Sequence, residues 1–189
     1  APMTTTRVAL FQMTTGIDPA ANAAAIADAA RQAKAGGAAM LFTPEMCGLL
    51  DRDRPRAAPH IVAEADNPVL AAARVAAADL GLWVALGSLA IAREDGRWAN
   101  RSFLLAPDGG IAARYDKIHM FDVDLKGGER YRASATFRPG REAVVADLPW
   151  GRLGLSVCYD LRFADLYRAL AKAGASFITV PAAFTRPTG

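Results

Sequence analysis

Three residues of this chain, Glu45, Lys117 and Cys158, carry side chains suited to acyl-transfer chemistry. Each follows an apolar run: Phe42-Thr43-Pro44 precedes Glu45, Ile111 to Tyr115 leads up to Lys117, and Leu153-Gly154-Leu155-Ser156-Val157 leads up to Cys158. A thiol can attack a carbonyl or nitrile carbon, a carboxylate can take and return the proton, and an ammonium can stabilise the negative oxygen. An unassisted thiol is ionised only to about a few per cent at neutral pH, so a neighbouring Lys or Glu is needed. Each residue alone also has a plainer reading. A free cysteine often packs as a small hydrophobe, a glutamate after a strand can open a helix, and a lone lysine is usually solvated. His119, two residues past Lys117, is the competing base, whereas His60 lies in a Pro- and Arg-rich loop.

The elements that must position these residues can be read from the pattern. Val8-Ala9-Leu10-Phe11 reads as a short buried strand. An Ala-rich helix follows from Pro19 to Lys34, ended by Gly36-Gly37. Ala38 to Thr43 is a second apolar strand, and Pro68 to Asp79 a second Ala-rich helix stopped by Gly81. Leu82 to Ala92 and Trp98 to Ala106 form a strand pair around the turn residues Asp95-Gly96, and Ile111 to Tyr115 follows the next turn. Lys117 to Gly140 is irregular and reads as a long functional loop. Glu142 to Asp147 and Arg152 to Cys158 are strands, Phe163 to Lys172 is a helix, and Ala175 to Pro181 is a last strand. Alternating helices and strands with central hairpins imply an α/β layered fold with mixed sheets. In such sheets sites gather beyond the carboxyl ends of strands, where all three candidates fall. At a strand-to-helix turn Cys158 is held rigidly, the following N–H groups can face an oxyanion, and the next helix's dipole favours a thiolate.

Three segments carry a family resemblance. Phe42-Thr43-Pro44-Glu45, Tyr115-Asp116-Lys117-Ile118-His119-Met120-Phe121-Asp122 and Leu155-Ser156-Val157-Cys158-Tyr159-Asp160-Leu161-Arg162-Phe163 resemble, in order, the signature segments of the nitrilase (carbon–nitrogen hydrolase) superfamily. The resemblance runs from Arg7 to the end of the chain. It implies an α-β-β-α four-layer sandwich, a thioester intermediate, no metal, no organic cofactor, and a homodimer or higher homo-oligomer. Carried over by residue, Glu45 is the general base, Lys117 the charge stabiliser and Cys158 the nucleophile. The N–H of Tyr159 is the second oxyanion donor. Arg162 and Pro181-Ala182-Ala183-Phe184 match segments that border the family's pocket. Two departures stand out. Ala133 occupies a position where the family usually has a second glutamate, for which Glu129 is no obvious substitute. Family chains also normally continue with further strands and a closing helix, so this chain is expected to lack a C-terminal part.

The stretch Lys117 to Asp124, with the later Gly-Gly-Glu-Arg-Tyr-Arg, resembles most the amidases acting on small amides of dicarboxylic acids, such as deaminated glutathione and ω-amides. Arg130, Arg132 and Arg162 are candidate partners for a substrate carboxylate. Nitrile hydrolysis, carbamoyl-amine hydrolysis and acyl transfer use the same three residues, and a binding scaffold without turnover is the rival that Ala133 supports.

The composition fits one soluble globular domain: 189 residues, 52% hydrophobic and 22% charged. The net charge of +3 comes from scattered residues without a Lys/Arg block, so nucleic acid is not an expected partner. Two cysteines do not suggest a disulfide framework, and with only two histidines a zinc site is not expected. No apolar run reaches the roughly 18 residues of a membrane span, and no signal pattern opens the chain, so a cytoplasmic protein is expected. Residues 1–6 read as a disordered remnant. A nucleotide-binding reading lacks both the Gly-rich loop after the first strand and any Gly-Lys-Ser/Thr.

Overall fold

In the computed structural model, which describes residues 5–124 and 130–184, β1 (Val8–Leu10) runs into the long helix α1 (Pro19–Ala35). Asp18 caps α1 by accepting the Ala20 N–H at 2.9 Å, and Pro19 takes the first turn, where its missing N–H costs nothing. Then come β2 (Met40–Phe42), the single-turn α2 (Arg54–Ala57) and α3 (Pro68–Leu80), which Asn67 caps and Gly81 ends in the left-handed region. Strands β3 (Trp83–Ala92), β4 (Trp98–Leu105) and β5 (Ile111–Asp116) complete a five-stranded sheet in the order β1-β2-β3-β4-β5. Its first three strands are parallel and its last three antiparallel, the mixed sheet expected.

The expected loop from Lys117 to Gly140 is not structureless. It holds a two-stranded ribbon, β6 (Asp122–Asp124) with β7 (Arg130–Arg132), and a 3₁₀ turn at Ala133–Ala135. Glu129 lies outside the described residues, as do residues 1–4 of the expected N-terminal remnant. A second sheet has the order β10-β9-β8, from β8 (Val145–Leu148), β9 (Gly151–Leu155) and β10 (Phe177–Thr179), with α4 (Ala164–Lys172) between the last two in sequence.

Alternation along the strands sets the layers. Ile26 and Ala30 of α1, with Leu70, Ala73 and Ala77 of α3, bury one face of the large sheet. From its other face Met40, Ala85, Leu104 and Tyr115 meet Leu148, Leu153 and Leu155 of the second sheet. Gly154, between Leu153 and Leu155, faces the opposite way: a Cβ there would stand 3.2 Å from the Leu170 side chain of α4. The four layers are therefore α1/α3, five strands, three strands and α4, the expected sandwich. β1 departs from expectation. Val8 is 44% and Leu10 78% exposed: Ala9 and Phe11 pack on the α1/α3 side, while Val8 and Leu10 point to the other face and stay outside the core between the two sheets.

Candidate active site

Glu45, Lys117 and Cys158 meet in one place, where the ends of β2, β5 and β9 converge. Glu45 is buried, and its Oε1 accepts hydrogen bonds from Lys117 Nζ at 2.9 Å and Asn100 Nδ2 at 3.0 Å. Its Oε2 accepts the backbone N–H of Ala183 at 3.0 Å. A buried carboxylate costs several kcal/mol unless its lone pairs are filled, and here three donors fill them. The same carboxylate acts on the Cys158 thiol, where its negative charge disfavours the ionised form.

Lys117 closes β5, with its N–H donated to the Asn100 carbonyl at 2.9 Å and its own carbonyl accepting the Gly140 N–H at 2.9 Å. The segment after it is fastened to the cysteine turn by Asp160, whose side chain is fully buried. Asp160 Oδ2 accepts the Tyr115 hydroxyl at 2.7 Å and the Val157 N–H at 2.9 Å. Its Oδ1 accepts the His119 N–H at 3.0 Å and faces His119 Nδ1 at 2.7 Å. The His119 ring stacks on Phe163 with centroids 3.7 Å apart. His119 is thus a fastening group away from the thiol, which removes it as competitor for the base, and His60 lies outside the cavity.

Cys158 lies three residues beyond β9 rather than at its end, and its backbone is left-handed, with φ +50°. Its N–H is committed to the Pro181 carbonyl at 2.8 Å. The expected help from a helix dipole is absent. Cys158 opens a 3₁₀ turn (Cys158–Arg162), and α4 begins only at Ala164. Burial pushes the Cys158 thiol up to about 12, and the Glu45 charge and hydrogen bond add to this, while the Lys117 charge opposes it. The resting thiol therefore keeps its proton, so attack requires a base in place.

These groups open onto a cavity of about 610 Å³, within the ordinary range for small-molecule sites. Its walls are largely apolar: Leu49, Ile61, Trp98, Met120, Phe121, Phe137 and Phe184. Tyr159 follows the cysteine, its ring edge-on to Phe121 and Phe163. Arg162 is exposed and does not line the cavity, and Arg132 is held by both oxygens of Asp124 at 2.7 and 2.9 Å, which leaves neither placed to read a substrate. Arg130 does line it. So do Arg52 and Arg54, which sequence reasoning passed over and whose side chains have no partner among the described residues. The acidic neighbour Asp51 is already taken by Arg56 at 2.7 and 2.8 Å. Ala133 also lines the cavity. Among the described residues no group of three His, Cys, Asp or Glu side chains is arranged to hold a metal ion, and no helix is long and apolar enough to cross a membrane.

Comparison with known proteins agrees with this geometry. The family model described as carbon-nitrogen hydrolase matches residues 7–188. The chain is 43% identical over 190 residues to a deaminated glutathione amidase of Yersinia enterocolitica, covering 99% of this chain and 66% of that protein. The crystal structure of the C. elegans NitFhit protein superposes with a TM-score of 0.84 at 30% identity, covering 94% of this chain and 44% of that one. A glutamate-to-glutamine variant of the amidase from Nesterenkonia sp. AN1, with acrylamide added to its active-site cysteine, superposes with a TM-score of 0.81 at 28% identity, covering 94% and 67%. The chain thus spans about two thirds or less of the length of these relatives.

Proposed function

Since the chain belongs to the carbon–nitrogen hydrolase family, we propose that it hydrolyses the C–N bond of a small linear amide through a thioester on Cys158. One observation carries this reading: a single buried carboxylate, Glu45, touches Lys117 and faces the Cys158 thiol at the wall of a largely apolar cavity. As sulfur attacks the carbonyl carbon, Glu45 takes the thiol proton. The oxyanion is held by the Lys117 ammonium and the Tyr159 N–H. Collapse breaks the C–N bond, and the proton on Glu45 leaves with the amine. Glu45 then takes a proton from water as that water attacks the thioester. Collapse of this second oxyanion releases the acid, and the thiolate recovers its proton from Glu45.

The substrate class follows from the cavity's charges. Arg52 and Arg54 line it without an ion-pair partner among the described residues, since Asp51 is engaged by Arg56, and Arg130, 3.6 Å from Asp124, shares that carboxylate with Arg132. An amide carrying a carboxylate at its far end, such as deaminated glutathione or an ω-amide, suits that field. The similarity to a deaminated glutathione amidase supports the same class. Water is the co-substrate, a homodimer or higher homo-oligomer is the proposed assembly, and a reducing compartment such as the cytoplasm suits a free-thiol nucleophile. The test is ammonia release from a dicarboxylic acid monoamide, with the matching nitrile and N-carbamoyl amine as controls. Release from the amide alone is the expected result. A second reading rests on Ala133, which puts a methyl group in the cavity wall where family members usually have a glutamate. If no compound turns over while the monoamide still binds, the chain is a binding scaffold.

A further inference from the structure

The general base is held from a strand it does not belong to. β3 carries one extra residue against β4, because the pairing Leu86 with Phe103 becomes Leu89 with Arg101. Such a bulge turns backbone and side chains away from the ladder, often beside active sites. Here Gly87 and Ser88, the two bulge residues that stand against Ser102 alone, turn toward the segment that bears Glu45. Gly87 donates its N–H to Thr43 Oγ1 at 3.0 Å. A Cβ on Gly87 would lie 2.3 Å from the carbonyl oxygens of Thr43 and Pro44, so only glycine allows this approach. Ser88, fully buried, accepts the Met46 N–H on its hydroxyl at 2.9 Å and the Cys47 N–H on its carbonyl at 3.0 Å.

Met46 is the residue that needs holding. It has φ +54°, a left-handed conformation that an unbranched L side chain adopts at a cost. It directly follows Glu45, so its backbone angles fix how the chain leaves the base. We propose that Ser88 is a positioning residue for catalysis: its hydroxyl holds the Met46 N–H, keeps Met46 left-handed, and so aims the Glu45 carboxylate at the Cys158 thiol. This rests on the reading of Glu45 as the base. Ser88 itself touches neither the thiol nor the cavity.

The test uses the pH midpoint of Cys158 alkylation by methyl vinyl ketone, an electrophile with no amide to hydrolyse, and needs no knowledge of the substrate. Glu45→Gln sets the scale: without the nearby negative charge the thiol ionises more readily, and the midpoint falls by about one pH unit or more. Ser88→Ala should move the midpoint most of the way toward the Glu45→Gln value. It should also lower kcat about a hundredfold on a monoamide that the wild type hydrolyses, with KM little changed. In a Met46→Gly background, where left-handed backbone carries no penalty, Ser88→Ala should have much less effect on the midpoint. That rescue separates aiming the base from filling space. Should Ser88→Ala lose its fold, the double variant compared with Met46→Gly alone carries the test. An unchanged midpoint in Ser88→Ala, or an equal shift in both backgrounds, overturns the proposal. An unchanged midpoint in Glu45→Gln instead overturns the reading of the base itself.

Discussion

The turn after β2 and the turn after β9 are built from like parts and have opposite chemical characters. Each contains a buried free cysteine and a non-glycine residue with φ near +50°: Met46 beside Cys47 in the first, Cys158 itself in the second. Burial pushes the Cys47 thiol up to about 11 and the Cys158 thiol up to about 12, so acidity does not tell them apart. Surroundings do. Cys47 lies among core side chains beneath the Ser88 carbonyl, 3.4 Å from its sulfur, with no charged group among the causes of its shift. Cys158 faces Glu45 and Lys117 and opens onto the cavity. What sets Cys158 apart is a neighbouring base to take its proton during attack, not a low resting pKa.

The largest expected effect breaks this comparison outright. Cys158→Ala should lower amide turnover by roughly 10⁶-fold, the scale of losing the nucleophile in other covalent hydrolases. Cys47→Ala should leave kcat/KM nearly unchanged and cost about 1 kcal/mol of stability, read from chemical denaturation. Glu45→Gln comes next, with a loss of about 10² to 10⁴-fold in kcat for want of the base. The sign of its second effect is the reverse of intuition. The Glu45 charge disfavours the thiolate, so removing it should let Cys158 ionise at lower pH while hydrolysis falls, as a pH series of alkylation rates will show.

The structure brought together more than the sequence displayed, and the reason is one of distance along the chain. Glu45, Lys117 and Cys158 announce themselves because each lies inside a contiguous segment with a recognisable pattern. Their supports do not. The Ala183 N–H reaches Glu45 from 138 residues away, and Asn100 from 55. The serine that holds Met46 depends on a one-residue register shift in β3, which alternation of apolar residues cannot reveal. The helices were legible from caps and glycines, whereas β1 was misread as buried because an apolar tetrapeptide does not reveal that one of its two faces lies outside the core. The β6–β7 ribbon was hidden by polar residues that pair across it, as Arg132 does with Asp124.

Two smaller effects sharpen the contrast between the turns. Asp160→Asn should cost about 2–3 kcal/mol, because the NH₂ that replaces one buried carboxylate oxygen meets a backbone N–H, of Val157 or of His119, in either orientation. It should also lower kcat by loosening the Lys117 segment from the cysteine turn, so thermal unfolding and kinetics move together. Removing Arg52 and Arg54 together should raise KM about tenfold for a monoamide bearing a carboxylate and leave a neutral amide of equal length unaffected. Paired steady-state kinetics on the two amides will show this.

The most direct test of the account is peptide mass mapping after the protein is mixed with a carboxylate-bearing monoamide and quenched in acid within the first turnovers. The account predicts an acyl adduct on the peptide containing Cys158, with ammonia released in equal amount and no label on Cys47. Turnover without any adduct on Cys158, or labelling of both cysteines alike, would contradict it.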